Sequence, residues 1–251
     1  MSGDNHTRQD LRSYGRRRGR APSRRQAELW RDVLPRVAVD LAQPAPASLT
    51  DLFAPPVEDV WLEIGFGGGE HLVWQARANP GVGLIGCEPF QDGVVKVLSA
   101  IGDSRRSMFC NPPLPTPGGR EADALANIRV LADDARPLLR WLPSASIGRA
   151  FVLFPDPWPK ARHRKRRLVS EATLGELARV LRPGAELRLA TDDGDYAGAM
   201  LLAIGRQAYF QWTANGPDDW RRRPADWPAT RYEEKALREG RRCYFLSFHR
   251  G

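Results

Sequence analysis

Residues 57–78, VEDVWLEIGFGGGEHLVWQARA, decide the fold. The stretch 57–64 reads as a first core strand, and an apolar segment over 70–78 reads as a helix. Between them lies Gly65-Phe66-Gly67-Gly68-Gly69. Strand, glycine loop, helix is a nucleotide-binding arrangement: glycines let the backbone turn tightly and approach a ligand, and the first amides of the helix face it. A dinucleotide fingerprint G-x-G-x-x-G would need a small residue at position 70, where Glu70 stands, so a nicotinamide dehydrogenase is not expected. Glu63, two residues before the first glycine, supplies an acid at the end of the strand instead.

Working outward, the same alternation repeats. Residues 82–86 predict a second strand ending at Cys87-Glu88-Pro89, with Glu88 placed to accept two ribose hydroxyls about 20 residues after the glycines. A helix over 90–101, a strand over 126–131 and a strand over 150–154 follow. Asp133 and Asp134 come after the third of these strands, and either can contact a ligand there or cap the helix that begins at Ala135. Residues 111–119, NPPLPTPGG, are loop by composition. Beyond the fourth strand, Pro155-Asp156-Pro157-Trp158-Pro159 has three prolines in five residues, which forbid helix or ladder and impose a stiff turn. Asp156 is thereby expected at the carboxyl edge of the sheet, where open α/β folds bind ligands. Next stand Lys160, Arg162, Arg164, Lys165, Arg166 and Arg167, six permanent charges in eight residues without an acid. A solvated basic loop is the plain reading of such a run; the proline frame, the tryptophan and the lone acid beside it favour a nucleic acid.

A helix over 168–181, a strand over 186–191 ending in Thr191-Asp192-Asp193, a helix over 196–207 and a last strand over 243–248 complete the pattern. Residues 218–227 mix Trp220 and Trp227 with Arg221, Arg222 and Arg223, a combination that suits unstacked bases or pins a loop to the domain. Thr230 is a possible N-cap for a helix or turn through Arg231, Tyr232 and Glu233. Upstream, 26–41 has helical spacing, and prolines at 44–56 mark a linker. Alternating strands and helices fit a doubly wound α/β sheet. The expected organisation is a flexible basic arm over 1–25 and one domain over 26–251.

The 251 residues suffice for a full core. Residues 1–36 contain ten arginines and four acids, so most of the +8 net charge sits in this arm, and the remainder is nearly balanced. Charge placed there and after Asp156 suits a partner rich in phosphate. Cys87, Cys110 and Cys243 lack metal-ligand spacing, so neither zinc nor a disulfide framework is expected. The first ten residues contain no apolar run, and no stretch reaches the roughly 20 apolar residues of a bilayer span. A cytoplasmic location, with no membrane contact and no metal, is expected.

The pattern Glu63-x-Gly65-x-Gly67-x-Gly69 resembles the S-adenosylmethionine loop of class I methyltransferases, where an acid suits the ligand's amino group. With FPDPWPKARHRKRR over 154–167, Glu88, Asp134-Ala135, Thr191-Asp192 and Thr230-Arg-Tyr-Glu233 in order, the chain resembles the bacterial tRNA (guanine-N7-)-methyltransferases over nearly its whole length. The resemblance implies a mostly parallel seven-stranded Rossmann-like sheet, S-adenosylmethionine as cofactor, tRNA as partner and a monomer or homodimer. It implies methylation of N7 of a guanine in the variable loop. Glu63, Gly65, Gly67, Gly69, Glu88, Asp134 and Asp156 would line the cofactor site, with Asp156 catalytic. Lys160, Asp192, Thr230, Arg231, Tyr232 and Glu233 would meet the substrate, and Arg162, Arg164, Lys165, Arg166 and Arg167 the RNA. Two features depart from the family: the loop over 111–122 is long, and Asp193 stands where an aromatic is expected. Asp156-Pro157-Trp158 also resembles the D-P-P-Y motif of amino-group methyltransferases, which would point to adenine or cytosine. A non-catalytic RNA-binding protein on the same scaffold is the reading from another class.

Overall fold

The computed structural model describes residues 17, 19, 21–102 and 125–251. The long loop at 111–122 and nearly all of the basic arm lie outside the described residues. One seven-stranded sheet organises the chain, in the order β3-β2-β1-β4-β5-β7-β6. Strands β1 (Asp59–Ile64), β2 (Val82–Cys87), β3 (Ile128–Leu131), β4 (Ile147–Leu153) and β5 (Leu181–Thr191) run parallel. The last strand, β7 (Tyr244–Arg250), inserts antiparallel between β5 and β6 (Phe210–Trp212). The order reverses between β1 and β4, which opens a crevice at their carboxyl ends. The doubly wound sheet expected from the alternation, mostly parallel and seven-stranded as the resemblance implies, is therefore present.

Side-chain alternation along the strands separates two cores. Leu62 and Ile64 of β1, Ala150 and Val152 of β4 and Leu187 and Leu189 of β5 face α5 (Ala135–Trp141), α6 (Glu171–Val180) and α7 (Gly194–Gly205). On the other face Leu84, Ile128 and Val130 meet α3 (Glu70–Ala78) and α4 (Gln91–Gly102) through Leu72, Val73, Val94, Val97 and Leu98. That second layer continues over β4 and β7, where Phe151, Leu153 and Phe245 pack on Trp227 and on Ala236 of α9 (Arg231–Arg238).

Several boundaries differ from the sequence reading. The helix expected over 26–41 is two pieces, α1 (Arg24–Asp32) and α2 (Leu34–Val37), because Pro35 cannot continue the hydrogen-bond ladder. A capping box of Ser23 and Gln26 starts α1 at Arg24, two residues before the expected helix. After α2 the chain turns extended, and Ala38 bridges Val130 on the outer edge of β3. The helix expected to end at 181 stops at Val180, and Leu181 already pairs with Ile147. Residues 161–166, expected only as a basic run, form a short 3-10 helix, Ala161–Arg166. Between α7 and α9, the four-residue α8 (Asp218–Arg221) carries Trp220, whose ring stacks on Tyr244 with 9° between the planes.

Candidate active site

Strands β1, β2 and β4 each hand their ladder on by one residue. The amide of Gly65 donates to Cys87 O at 2.8 Å, that of Glu88 to Leu131 O at 3.0 Å, and that of Phe154 to Ala190 O at 2.7 Å. These bonds bring the glycine loop, Glu88 and the Pro155–Pro159 turn to one edge. They surround a cavity of about 360 Å³ whose walls include Gly65, Gly67, Glu88, Asp134, Asp156, Trp158, Arg166 and Tyr232.

The glycine loop is held from both sides. Gly65 and Gly67 have φ of 75° and 55°, values that side-chain-bearing residues rarely adopt. A Cβ on Gly67 would also lie 2.8 Å from the ring of Tyr232, so the loop and α9 touch through a missing side chain. Arg231, next to Tyr232, pairs with Glu70 at the start of α3. Gly69 does not line the cavity. It begins α3 with φ of 80°, and a Cβ there would lie 2.2 Å from Val97, so its smallness serves packing on α4.

Glu88 is buried, and its carboxylate straps the loop to β2. One oxygen accepts from Gly67 N and the other from Phe90 N, both at 2.8 Å. Burial raises its pKa above the usual carboxylate range, and the two amides work against that rise. Each oxygen retains a lone pair, so the group can still accept a pair of neighbouring hydroxyls. Asp134 both lines the cavity and caps α5: one oxygen accepts from Arg136 N at 2.9 Å, the other from the Arg136 guanidinium at 3.0 Å. Asp133 is exposed, accepts from Asp134 N and pairs with Arg17. Of the two alternatives, Asp134 is the residue in the cavity wall.

Asp156 sits on a strained turn. Phe154 and Trp158 on either side have φ of 51° and 44°, a region costing a non-glycine residue about 1–3 kcal/mol. What holds the turn is Arg167. It is buried, donates Nε to Pro157 O at 2.8 Å, pairs with Asp195 at 2.5 Å and lies over the ring of Tyr196. Arg167 thus braces the turn and is buried, unlike most of the cations that precede it. Lys160 before the 3-10 helix and Arg162, Arg164 and Lys165 on it are exposed, with Arg164 paired to Asp195 at 3.1 Å, while Arg166 stacks on Trp158 and enters the cavity wall. The Asp156 carboxylate is open to solvent, yet nearby protein atoms still raise its pKa by desolvation.

Several expected contact residues are occupied elsewhere. Asp192 pairs with Arg241 and is absent from the cavity wall. Thr230 is buried and caps α9, its Oγ1 accepting from Glu233 N at 3.3 Å. Glu233 is buried against Arg223 at 3.1 Å, and burial raises its pKa. Asp193 caps α7 through Tyr196 N at 2.8 Å, a local reason for an acid at that position. Trp227 is only 2% exposed and packs on Phe245 and His71, so it pins its loop rather than receiving a base. Glu63 is also buried, bonded to His71 at 2.8 Å, and faces a separate small chamber behind the glycine loop. Sequence reasoning did not find Arg136 or Leu168 in the cavity wall, since neither carries a motif and only the packing of the loops brings them there. No group of three or more potential metal ligands occurs among the described residues, and none of their helices is long and apolar enough to cross a membrane.

Comparison with known sequences places the chain in a family. A profile described as a putative methyltransferase matches residues 58–246. The tRNA (guanine-N(7)-)-methyltransferase of Rhodopseudomonas palustris (strain BisA53) is 46% identical over 237 residues, covering 94% of this chain and 87% of that protein. Its counterpart in Rhizobium meliloti (strain 1021) is 44% identical, with 94% of each chain covered. That of Rhodospirillum rubrum is 45% identical over 245 residues, covering 96% of this chain and 89% of the other. A solved 16S rRNA methyltransferase, KamB, overlays with a TM-score of 0.49 at 18% identity, covering 78% of this chain and 89% of that one. With a carboxylate-lined cavity at its sheet edge and such identity across nearly its full length, the chain belongs to the tRNA (guanine-N7-)-methyltransferase family.

Proposed function

We propose that this protein transfers a methyl group from S-adenosylmethionine to N7 of a guanine in the variable loop of tRNA. The observation that carries the reading is that Glu88, Asp134 and Asp156, from three different strand ends, line one cavity in a chain 44–46% identical to enzymes named for that reaction. The cavity walls fit the cofactor. Its volume lies within the range of small-molecule sites, Glu88 offers two oxygens to vicinal hydroxyls, and Ile64, Cys87, Ala135 and Leu168 supply apolar surface for a flat base. S-adenosylmethionine supplies an electrophilic methyl group on a positively charged sulfur.

Guanine N7 carries a lone pair and no proton, so the residues here need not remove one. Their task is to orient N7 in line with the methyl and to exclude water. Asp156 is the group that orients: its carboxylate accepts from guanine N1–H and the exocyclic amino group, a pair of donors that adenine does not present on that edge. The turn that carries it is braced by Arg167 through Pro157 O. N7 is inaccessible inside an A-form helix, so the guanine must be unstacked, as in a loop. Lys160, Arg162, Arg164 and Lys165 supply phosphate contacts that are independent of sequence. A cytoplasmic location follows from that substrate.

The test is incubation of the purified protein with unmodified tRNA and methyl-labelled S-adenosylmethionine, followed by nucleoside analysis. Label is expected in 7-methylguanosine. Label in methylated adenosine or cytidine would overturn the substrate, and failure of both transfer and cofactor binding would overturn the enzyme.

A further inference from the structure

Behind the glycine loop a chain of buried polar groups has no part in the cavity just described. Glu63, His71 and Gln75 are each no more than 2% exposed. Glu63 Oε2 lies 2.8 Å from His71 Nδ1, and His71 Nε2 lies 3.1 Å from Gln75 Nε2. Gln75 Nε2 also donates to the main-chain carbonyl of Asp226 at 2.9 Å, while Gln75 Oε1 accepts from Asn79 at 3.0 Å. A carbonyl oxygen can only accept, so the nitrogen of the Gln75 amide must be the end facing Asp226 and His71. His71 Nε2 is then the acceptor and Nδ1 carries the proton. The imidazole consequently donates to Glu63, whose carboxylate is held by one directed hydrogen bond. Rings fix the imidazole plane as well: Phe151 packs against it at 4.6 Å and Trp227 at 5.8 Å between centroids, both edge-on.

The carboxylate held in this way borders a chamber of about 10 Å³, enough for roughly one water-sized group. Glu63, Glu70 and His71 contribute its polar wall, and Gly65, Phe154 and Tyr232 are shared with the main cavity. Glu70 is already paired with Arg231, so the Glu63 carboxylate is the acid that suits a small cation in this space beside the glycine loop. We infer that His71 is a positioning residue: it aims Glu63 at the ammonium of the cofactor's amino-acid end, with Gln75 setting its tautomer and Asp226 anchoring Gln75. This rests on the S-adenosylmethionine reading above. The arrangement also ties the segment carrying Asp226 and Trp227 to the back of the cofactor site, since Asp226 itself is held by Arg188 at 2.8 Å.

Calorimetric titration with two ligands tests it. S-adenosylhomocysteine has the ammonium, and methylthioadenosine shares the adenosine and sulfur but lacks it. In His71→Leu, affinity for S-adenosylhomocysteine should fall about tenfold, the scale of a lost hydrogen bond to a charged group, while affinity for methylthioadenosine stays within about twofold. His71→Asn, which returns a donor near the position of Nδ1, should recover most of the loss. Equal losses for the two ligands, or none for either, would overturn the inference. Should His71→Leu not fold, Gln75→Met must show the same selective loss, smaller in size, and an unselective result there overturns the inference equally. If the unaltered protein binds neither ligand, it is the cofactor reading that falls.

Discussion

The ends of β2 and β3 hold their carboxylates with main-chain amides, whereas the end of β4 holds Asp156 with backbone strain and a buried arginine. Glu88 and Asp134 each accept from amides of their own or a neighbouring loop, so their positions follow from the strands. Asp156 has no such anchor in its own turn: Phe154 and Trp158 lie in the left-handed region, and Arg167 reaches back from ten residues on to catch Pro157. On the proposed reading, the cofactor half is assembled by the fold itself, and the substrate half by a local device laid over it.

The sharpest way to break this comparison is Asp156→Asn. Its carboxylate is proposed to receive two guanine donors, so kcat/KM on tRNA should fall about 100-fold, near the upper worth of a bidentate base contact. Calorimetry should show cofactor affinity within about twofold of the unaltered protein. A variant that keeps full activity would remove Asp156 from guanine recognition. Glu88→Gln probes the other half: cofactor affinity should drop about tenfold, because the amide offers one acceptor where the carboxylate offers two. Turnover at saturating cofactor should change little.

Arg167→Ala separates the brace from the exposed run. It should lower stability by about 1–2 kcal/mol, measured by denaturant titration, through the hydrogen bonds lost at Pro157 and Asp195. Its effect on the salt dependence of tRNA binding should be negligible. Arg162→Ala should do the reverse, leaving stability unchanged and reducing the slope of log affinity against log salt by about 0.7–0.9. Equal effects from the two substitutions would erase the distinction. The smallest effect concerns pH. Burial raises the Glu88 pKa, and hydroxyl donors favour its ionised form, so cofactor binding releases protons and weakens as pH falls through that raised value. Folding has the opposite sign: above the ordinary glutamate pKa the unfolded chain ionises first, so Glu88 subtracts stability as pH rises to its folded value. Binding measured across mildly acidic pH should show the decline, and Glu88→Gln should flatten it.

Much of the site was legible because it lies where strands end. A strand of known period that stops at a glycine, a Glu-Pro or a proline turn must present its next residue at the sheet edge, which is why Gly65, Glu88, Asp134 and Asp156 meet in one cavity. Residues near those motifs but not at strand ends were not legible in the same way. Arg167 belongs by sequence to a run of six cations and by structure to the interior, since burial depends on Tyr196 and Asp195 from a distant helix. Asp192 ends a strand too, yet Arg241 claims it. His71 reads as one polar residue on an apolar helix, and only the approach of Phe151 and Trp227 shows what encloses it.

By itself, the sequence determined the doubly wound sheet and the acids at its strand ends, because periodicity and chain-breaking residues act locally and need no partner. Tertiary structure alone decided which charges are free to meet RNA and which are braces, caps or buried pairs. The physical reason is that a charge is worth what its surroundings leave unsatisfied, and those surroundings come from segments tens of residues away.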